Sequence, residues 1–133
     1  MAALQPLINK RIQMSLDTRV SIAEAEQLVK EAFLRNGVKE AVAESVSNAL
    51  VAAEAEGQVG HGFSRVKDYL AQVKSKKINV DAKIKIESPK PTSISIDADY
   101  GFAYPALDQA ISEGALTAKE YGSAIVSIFN SHH

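Results

Sequence analysis

The chain has 133 residues, 46% of them hydrophobic and 23% charged, which is the size and composition of one ordinary globular domain. Its formal net charge of −1 argues against electrostatic capture of nucleic acid or of a membrane surface as its main task. The absence of cysteine excludes disulfides and thiolate metal sites, and no apolar run could span a bilayer or act as a secretory signal. We therefore expect a soluble, cytoplasmic chain with no nucleic-acid or membrane partner.

The first helix is predicted from residue 22. Residues 1–20 lack clear periodicity and are interpreted as an amino-terminal arm. Ser21 is a good N-cap, and Glu24 completes a capping box. Apolar side chains then recur at helical spacing, at Ile22, Ala25, Leu28, Val29, Ala32 and Phe33. Gly37 suits the left-handed residue that follows a helix end.

Two more helices are predicted before residue 78. The second, about residues 38–56, carries its apolar face at Val42, Val46, Ala49, Leu50 and Ala53, and Gly57 ends it. Because the connection at Gly37 is short, the first two helices should form an antiparallel pair. The third helix has Ser64 as its predicted cap and presents Val66, Tyr69, Leu70 and Val73 inward.

The hydrophobic period then changes from 3.6 to 2, which indicates strands. Lysine or serine alternates with isoleucine in "KIKIES" and "SISIDA", and "PKPT" between them predicts a hairpin turn. A helix with Pro105 in its first turn follows, and "SAIVSIF" is typical of a strand covered on both faces. This helix and strand would be half of a crossover unit that the chain does not continue, so the sequence looks cut short. The predicted class is α/β.

One histidine is the best candidate for chemistry. His61 lies between Gly60 and Gly62, which leave the backbone open to a ligand, and imidazole is suited to proton transfer near neutral pH. Arg65 follows four residues later and could bind a carboxylate through two hydrogen bonds. The two share a helix face if the third helix begins at or before His61, and can still converge if it begins at Ser64. The alternative is a flexible turn with an exposed histidine.

Three other patterns could indicate a ligand site. "GHGFSR" follows a helix and lacks the third glycine of a dinucleotide fingerprint. Asp97, Asp99 and Asp108 match three positions of a calcium loop, but Phe102 replaces its glycine, so no metal site is predicted. Seven lysines between Lys67 and Lys90 could favour a phosphate-bearing ligand or nucleic acid, although alternation with isoleucine favours a solvated strand face.

Three segments resemble one family. "EAEGQVGHGFSRVKDYLAQVKSKKIN", "IDADYGFAYPALDQAI" and "IVSIFNSHH" are similar, in order and spacing, to the type-2 malate/L-lactate dehydrogenases, a family that includes ureidoglycolate dehydrogenases and diketogulonate reductases. The likeness runs from about residue 20 to the last residue. Members of the family are much longer, so the chain resembles their amino-terminal part.

The resemblance implies an NAD- or NADP-dependent oxidoreductase with a non-Rossmann fold. It would transfer hydride between the cofactor and a 2-hydroxy or 2-oxo acid, as a homodimer at full length. His61 falls on the family's catalytic histidine and Arg65 on the arginine associated with the substrate carboxylate, whereas Gly60 replaces the family's serine. Asn130, Ser131 and His133 fall on a segment near the cofactor, with His132 at its variable position.

The domain organisation follows from this resemblance. After the arm, residues 21–77 would form a helical substrate-side segment, and residues 78–133 the start of the cofactor-binding part. The chain alone is expected to show no nicotinamide turnover, because most of the cofactor-binding part would lie beyond residue 133. The alternative from another class is a non-enzymatic helical interaction module, in which the helix pair of residues 22–56 offers a groove to a partner.

Overall fold

The computed structural model describes residues 19–132, so the predicted arm lies almost wholly outside the described residues. Four α-helices, one 3₁₀ turn and three strands follow one another in the order α1 (Ile22–Leu34), α2 (Glu40–Ala55), the turn Val59–His61, α3 (Ser64–Lys74), β1 (Lys85–Lys90), β2 (Ser93–Asp97), α4 (Ala103–Tyr121) and β3 (Ile125–Phe129). The mixed α/β class is confirmed. Among residues 19–132, no helix has the length and apolar character needed to cross a membrane.

Local signals define the ends of α1. The Ser21 hydroxyl accepts the backbone N–H of Glu24 at 3.2 Å, and the Glu24 carboxylate accepts the backbone N–H of Ser21 at 2.8 Å. The predicted capping box is therefore confirmed. Past the other end, Gly37 has φ +83, a conformation that costs glycine little, and Val38 donates its backbone N–H to Phe33.

α1 and α2 pack side by side and run in opposite directions, as predicted. Lys30 pairs with Glu44 at 3.0 Å near the connection. At the far end, Ile22 and Ala55 line one small cavity. The shared interior is apolar and contains Ala25, Val29, Phe33, Val46 and Leu50. The apolar stripes that an interaction module would offer to a partner are thus mostly buried within the chain.

The predicted inner face of α1 is wrong at two positions. Ile22 and Leu28 are each 60% exposed, whereas Phe33 is fully buried. Helical spacing places all three within one broad stripe, but α2 covers only the part of the stripe that contains Ala25, Val29 and Phe33. The tertiary contact, which spacing cannot specify, decides which apolar residues are buried.

The three strands form one mixed sheet in the order β1–β2–β3. β1 and β2 are antiparallel, which confirms the hairpin, but β1 continues through Pro89 and Lys90, so the turn is shorter than predicted. The register shifts between Glu87 and Lys90, an irregularity that accommodates a proline with no N–H to donate. β1 is exposed throughout, so the prediction that both hairpin strands are buried on one side holds only for β2.

The crossover unit is complete, which corrects the prediction that it is only half present. β2 and β3 pair in parallel, and α4 connects them. Isoleucines of β2 and alanines of α4 form a second core, which contains Ile94, Ile96, Ala106 and Ala110. Val126 and Ile128 of β3 pack against it. The prediction of a buried β3 is also wrong, because Ile125 is 72% exposed and Phe129 is 46% exposed.

A polar network joins the carboxyl ends of β2 and β3. The Asp97 carboxylate accepts the backbone N–H of Asp99 at 2.9 Å and the side-chain amide of Asn130 at 3.1 Å. Asp99, Tyr100 and Asn130 all have φ between +51 and +59, where aspartate and asparagine are tolerated better than most residues. The hydrogen bond from Asp99, the amide of Asn130 and the charge of Lys85 lower the pKa of Asp97, while burial opposes them.

We expect this network to give the fold an acid-sensitive contribution. The pKa of Asp97 is lower in the folded chain, so its ionised form stabilises the fold above the ordinary carboxyl value of about 4. That contribution is lost as the pH falls through the lower folded value. The difference in free energy of unfolding between the parent and Asp97→Asn should therefore shrink below a pH of about 4.

Urea unfolding near neutral pH and at several acidic values measures this difference. Glu24 also has a lowered pKa, through its hydrogen bonds with Ser21, but it is present in both proteins and its contribution cancels. A difference that stays constant down to strongly acidic pH would contradict the prediction.

Phe33 and Leu28 provide a matched test of the core. Phe33→Ala should lower the free energy of unfolding by about 3–5 kcal/mol, because it removes a fully buried ring and leaves a cavity. Leu28→Ala, on the same helix at an exposed position, should change it by no more than about 0.5 kcal/mol. Denaturant unfolding of both variants measures the two values, and similar losses would place the core elsewhere.

Candidate functional site

The candidate histidine lies on a short loop between α2 and α3, which we call the His61 loop (residues 57–63). Gly57, with φ +80, ends α2, and Gln58 returns its backbone N–H to Ala53 at 2.8 Å. The 3₁₀ turn Val59–His61 is closed by a 2.7 Å hydrogen bond from the backbone N–H of His61 to Gln58. His61 is exposed at the end of this turn.

Arg65 is held next to the same loop. It lies in the first turn of α3, and its Nε donates to the carbonyl oxygen of Gly60 at 2.7 Å. Arg65 therefore contacts the backbone of the residue that precedes His61. Within residues 19–132, Arg65 forms no ion pair. Because Nε is engaged, the side chain is oriented while its two terminal nitrogens can still bind an anion.

Ser64 attaches α3 to the loop in a way that differs from the prediction. Ser64 is the first residue of α3, and Phe63 occupies the N-cap position without a capping side chain. The Ser64 hydroxyl donates instead to the carbonyl oxygen of Val59 at 2.7 Å. Ser64 thus closes the His61 loop, and the prediction that it caps α3 is wrong.

The two glycines beside His61 have different roles. A Cβ atom at Gly60 would meet no other atom within 4 Å, so this position is open as predicted. A Cβ atom at Gly62 would lie 2.8 Å from the Cβ atom of Glu54, which is closer than real Cβ atoms approach. Gly62 is buried against α2, so the prediction that it leaves room for a ligand is wrong.

Glu54 holds the other end of the loop. Its Oε2 accepts the backbone N–H of Phe63 at 2.9 Å, across the face of Gly62. The sequence pattern alone does not distinguish the two glycines, and it does not point to Glu54. Only the position of Glu54 in the last turn of α2, eight residues before the second glycine, could have suggested a contact with the loop.

The residues predicted to lie near the cofactor follow β3. The segment runs alongside residues 98–103, where Tyr100 donates its backbone N–H to Asn130 at 2.7 Å and Phe102 pairs with His132. The side-chain amide of Asn130 is already bound to Asp97. Ser131 is partly exposed, and within residues 19–132 its hydroxyl has no hydrogen bond, which fits a polar contact to a cofactor. His133 lies outside the described residues.

Aromatic side chains connect these two groups of residues. The ring of Phe102 lies 5.7 Å from that of Tyr69, which is one helical turn after Arg65 on α3. The hydroxyls of Tyr69 and Tyr104 share a 3.2 Å hydrogen bond. Burial, followed by this hydrogen bond, raises the pKa of Tyr69 and keeps its phenol neutral. The sequence pattern predicted Tyr69 only as a core residue. Its spacing of four residues from Arg65 could have indicated that the two share one side of α3.

The carboxylates that match positions of a calcium loop form hydrogen bonds within the chain. Asp97 binds Asp99 and Asn130, and the Asp99 carboxylate accepts the backbone N–H of Lys83 at 3.0 Å. Among residues 19–132, no group of three histidine, aspartate or glutamate side chains could share a metal ion.

Comparisons with known proteins identify related sequences and a related structure. The sequence profile described as malate/L-lactate dehydrogenase matches residues 20–133. A (2R)-3-sulfolactate dehydrogenase (NADP(+)) from Chromohalobacter salexigens is 38% identical over 114 residues, which cover 86% of this chain and 34% of the relative. A Δ¹-pyrroline-2-carboxylate/Δ¹-piperideine-2-carboxylate reductase from Pseudomonas putida is 31% identical, with coverage of 86% and 34%.

A solved structure has the same fold over nearly all of the chain. The crystal structure of Δ¹-piperideine-2-carboxylate reductase from Pseudomonas syringae superposes with a TM-score of 0.84 at 30% identity, covering 88% of this chain and 35% of the other. The chain thus spans about a third of the length of the relatives it matches. Since the family profile matches all but the first 19 residues, the chain belongs to the malate/L-lactate dehydrogenase family.

Proposed function

We propose that the protein is an oxidoreductase that uses NAD or NADP to interconvert a 2-hydroxy acid and a 2-oxo acid, or the related imine. The observation that supports the proposal is the hydrogen bond from Arg65 Nε to the carbonyl oxygen of Gly60, the residue directly before the exposed His61. The named relatives add a substrate class. Sulfolactate, malate, lactate and pyrroline-2-carboxylate all carry a carboxylate next to the carbon that is oxidised or reduced.

Arg65 would bind the substrate carboxylate. Its terminal nitrogens present parallel N–H groups, which match the two oxygens of a carboxylate. With the carboxylate held, the carbonyl oxygen on the adjacent carbon can be directed towards His61. A protonated imidazole can donate to that oxygen during reduction, and a neutral imidazole can accept the hydroxyl proton during oxidation.

A nicotinamide cofactor, when bound, supplies or accepts the hydride. Of the residues predicted to contact it, Ser131 offers its hydroxyl, and Asn130 keeps the segment in place through its amide bond to Asp97. His133 remains a predicted contact. The sulfolactate dehydrogenase relative is named for NADP, and the proposal includes both NAD and NADP.

Several further expectations from the sequence stay predictions. They are the homodimer, the cytoplasmic location, the absence of nucleic-acid and membrane partners, and the division into a substrate-side and a cofactor-side segment.

Exposed apolar side chains on α4, such as Ile111 at 64% and Leu116 at 63%, are compatible with burial in a larger assembly. Ile78 and Phe102 belong to the same core as the helices, so the two proposed segments share an interior.

We expect His61→Asn to abolish most turnover without weakening cofactor binding. The substitution keeps a polar side chain but removes the group that transfers the proton, so kcat should fall by about 10²- to 10⁴-fold. The experiment compares kcat for pyruvate and other 2-oxo acids, together with cofactor affinity, in the protein at its full natural length. An undiminished kcat would exclude His61 from proton transfer.

Arg65→Lys should raise KM for 2-oxo acids by about tenfold or more, because a lysine ammonium keeps the charge but not the planar pair of donors. Cofactor affinity should remain unchanged. Lys67→Gln is the matched control, since it removes a positive charge two residues away on the exposed side of α3 and should leave KM unaltered. If Arg65→Lys behaves like this control, the carboxylate is bound elsewhere.

A further inference from the structure

We propose that Glu54 is a positioning residue for His61, holding the His61 loop in the geometry that proton transfer requires. The proposal rests on the proposed function, because it assigns Glu54 a role only through the imidazole. Glu54 lies on α2, and its carboxylate contacts the loop that follows this helix.

The contact is well placed to control the loop. Glu54 lies in the last turn of α2, where the neighbouring Leu50 and Val51 are buried in the helical core and fix the helix. Its Oε2 accepts the backbone N–H of Phe63, two residues beyond His61, at 2.9 Å. A hydrogen bond to a carboxylate is roughly twice as strong as one between neutral groups.

The other hydrogen bonds of the loop restrain a different part of it. Gln58 is bound to Ala53, and the backbone N–H of His61 to Gln58, so these contacts hold the side that precedes His61. Within residues 19–132, Glu54 is the side chain that bonds the backbone just after His61. Without it, the segment of residues 61–63 would be restrained only where α3 begins.

Gly62 makes this contact possible. A side chain at position 62 would meet the Cα, Cβ and Oε2 atoms of Glu54, so only glycine lets the loop lie directly on α2. Gly62, the buried glycine of the Gly-His-Gly motif, therefore allows the loop to contact the carboxylate of Glu54. Gly60 is open and faces solvent.

An apolar cavity lies beside the same contact. Its volume is about 210 Å³, and Val51, Ala55 and Phe63 line it together with Glu54. Apolar side chains thus border the hydrogen bond between Phe63 and Glu54 on one side.

The length of the side chain and its charge can be separated by three substitutions. Glu54→Gln keeps an acceptor oxygen at the same reach and loses the charge. Glu54→Asp keeps the charge but withdraws the carboxylate by one methylene, and Glu54→Ala removes the acceptor. The matched control is Glu56→Ala, which removes an equal charge from the end of the same helix. Within residues 19–132, the Glu56 carboxylate accepts one side-chain hydrogen bond, from Gln58 at 3.3 Å.

We expect kcat for 2-oxo acids to fall by about 10- to 100-fold in Glu54→Ala and Glu54→Asp, since a displacement of about 1 Å at a reacting group can cost that much. KM should change by less than about threefold, because the Gly60 carbonyl that orients Arg65 lies on the part of the loop held through Ala53 and Gln58 and not through Glu54. Glu54→Gln should keep kcat within about threefold of the parent, and Glu56→Ala should match the parent. Equal loss in the Gln and Asp variants, or no loss in Glu54→Ala, would overturn the proposal.

Hydrogen exchange provides a measurement that does not depend on turnover. In the protein at its full natural length, backbone amides of residues 61–65 should exchange at least about tenfold faster in Glu54→Ala than in Glu56→Ala, while those of residues 42–50 stay protected. Faster exchange throughout α2 would indicate general destabilisation and overturn the positioning role.

The two proposals fail in distinguishable ways. If the parent protein does not turn over 2-oxo acids with either cofactor, the proposed function is wrong, and if His61→Asn retains turnover, the role of His61 within it is wrong. In both cases the exchange measurement still reports whether Glu54 orders the loop. If His61→Asn is inactive and Glu54→Ala is as active as Glu56→Ala, the role of Glu54 alone is wrong.

Discussion

The ring of Phe102 is the contact on which the arrangement of the site depends. It packs edge-on against Phe33 of α1 and Tyr69 of α3, in both cases with ring centres 5.7 Å apart. The backbone on either side of Phe102 is hydrogen-bonded to His132, which follows β3. One residue thus relates the helix that carries Arg65 to the segment predicted to lie near the cofactor. Aromatic pairs of this kind add about 0.5–1.5 kcal/mol each beyond the burial of their surface.

Around this contact, the exposed candidate residues His61 and Arg65 are held by contacts with the backbone and with α2. His61 is accessible, yet its loop is fastened on one side to Ala53 through Gln58 and on the other to Glu54 through Phe63. Arg65 is likewise exposed but fixed at Nε. A group that is already oriented loses little freedom when the substrate binds, so more of the binding energy remains for the reaction.

Local patterns predicted the local structure well. Helical spacing, the capping box at Ser21 and the glycines at positions 37 and 57 depend on neighbours within a few residues, and these elements were confirmed. The likeness to the family, carried by three short motifs, was confirmed by the match over residues 20–133. The convergence of the His61 and Arg65 side chains on one substrate stays a prediction.

What the sequence could not predict depends on contacts between distant residues. Glycine is compatible with a left-handed turn, with an open surface and with a close contact. The sequence therefore could not distinguish Gly60 from Gly62, because only the structure shows that Glu54 packs against Gly62. An apolar strand such as β3 has the same pattern whether one or both faces are covered. Likewise, no local signal identified β2 as the parallel partner of β3, and the crossover unit was therefore underestimated.

The separation in sequence between contacting elements implies an order of folding events. α1 and α2 are joined by a short connection, so their contact closes a small loop at low entropic cost. The contact between Phe33 and Phe102, and the parallel pairing of Ser93 with Ile125, close far longer loops. We therefore expect the helical pair to form before the longer-range contacts, among them the packing of Phe102 that relates α3 to the segment after β3.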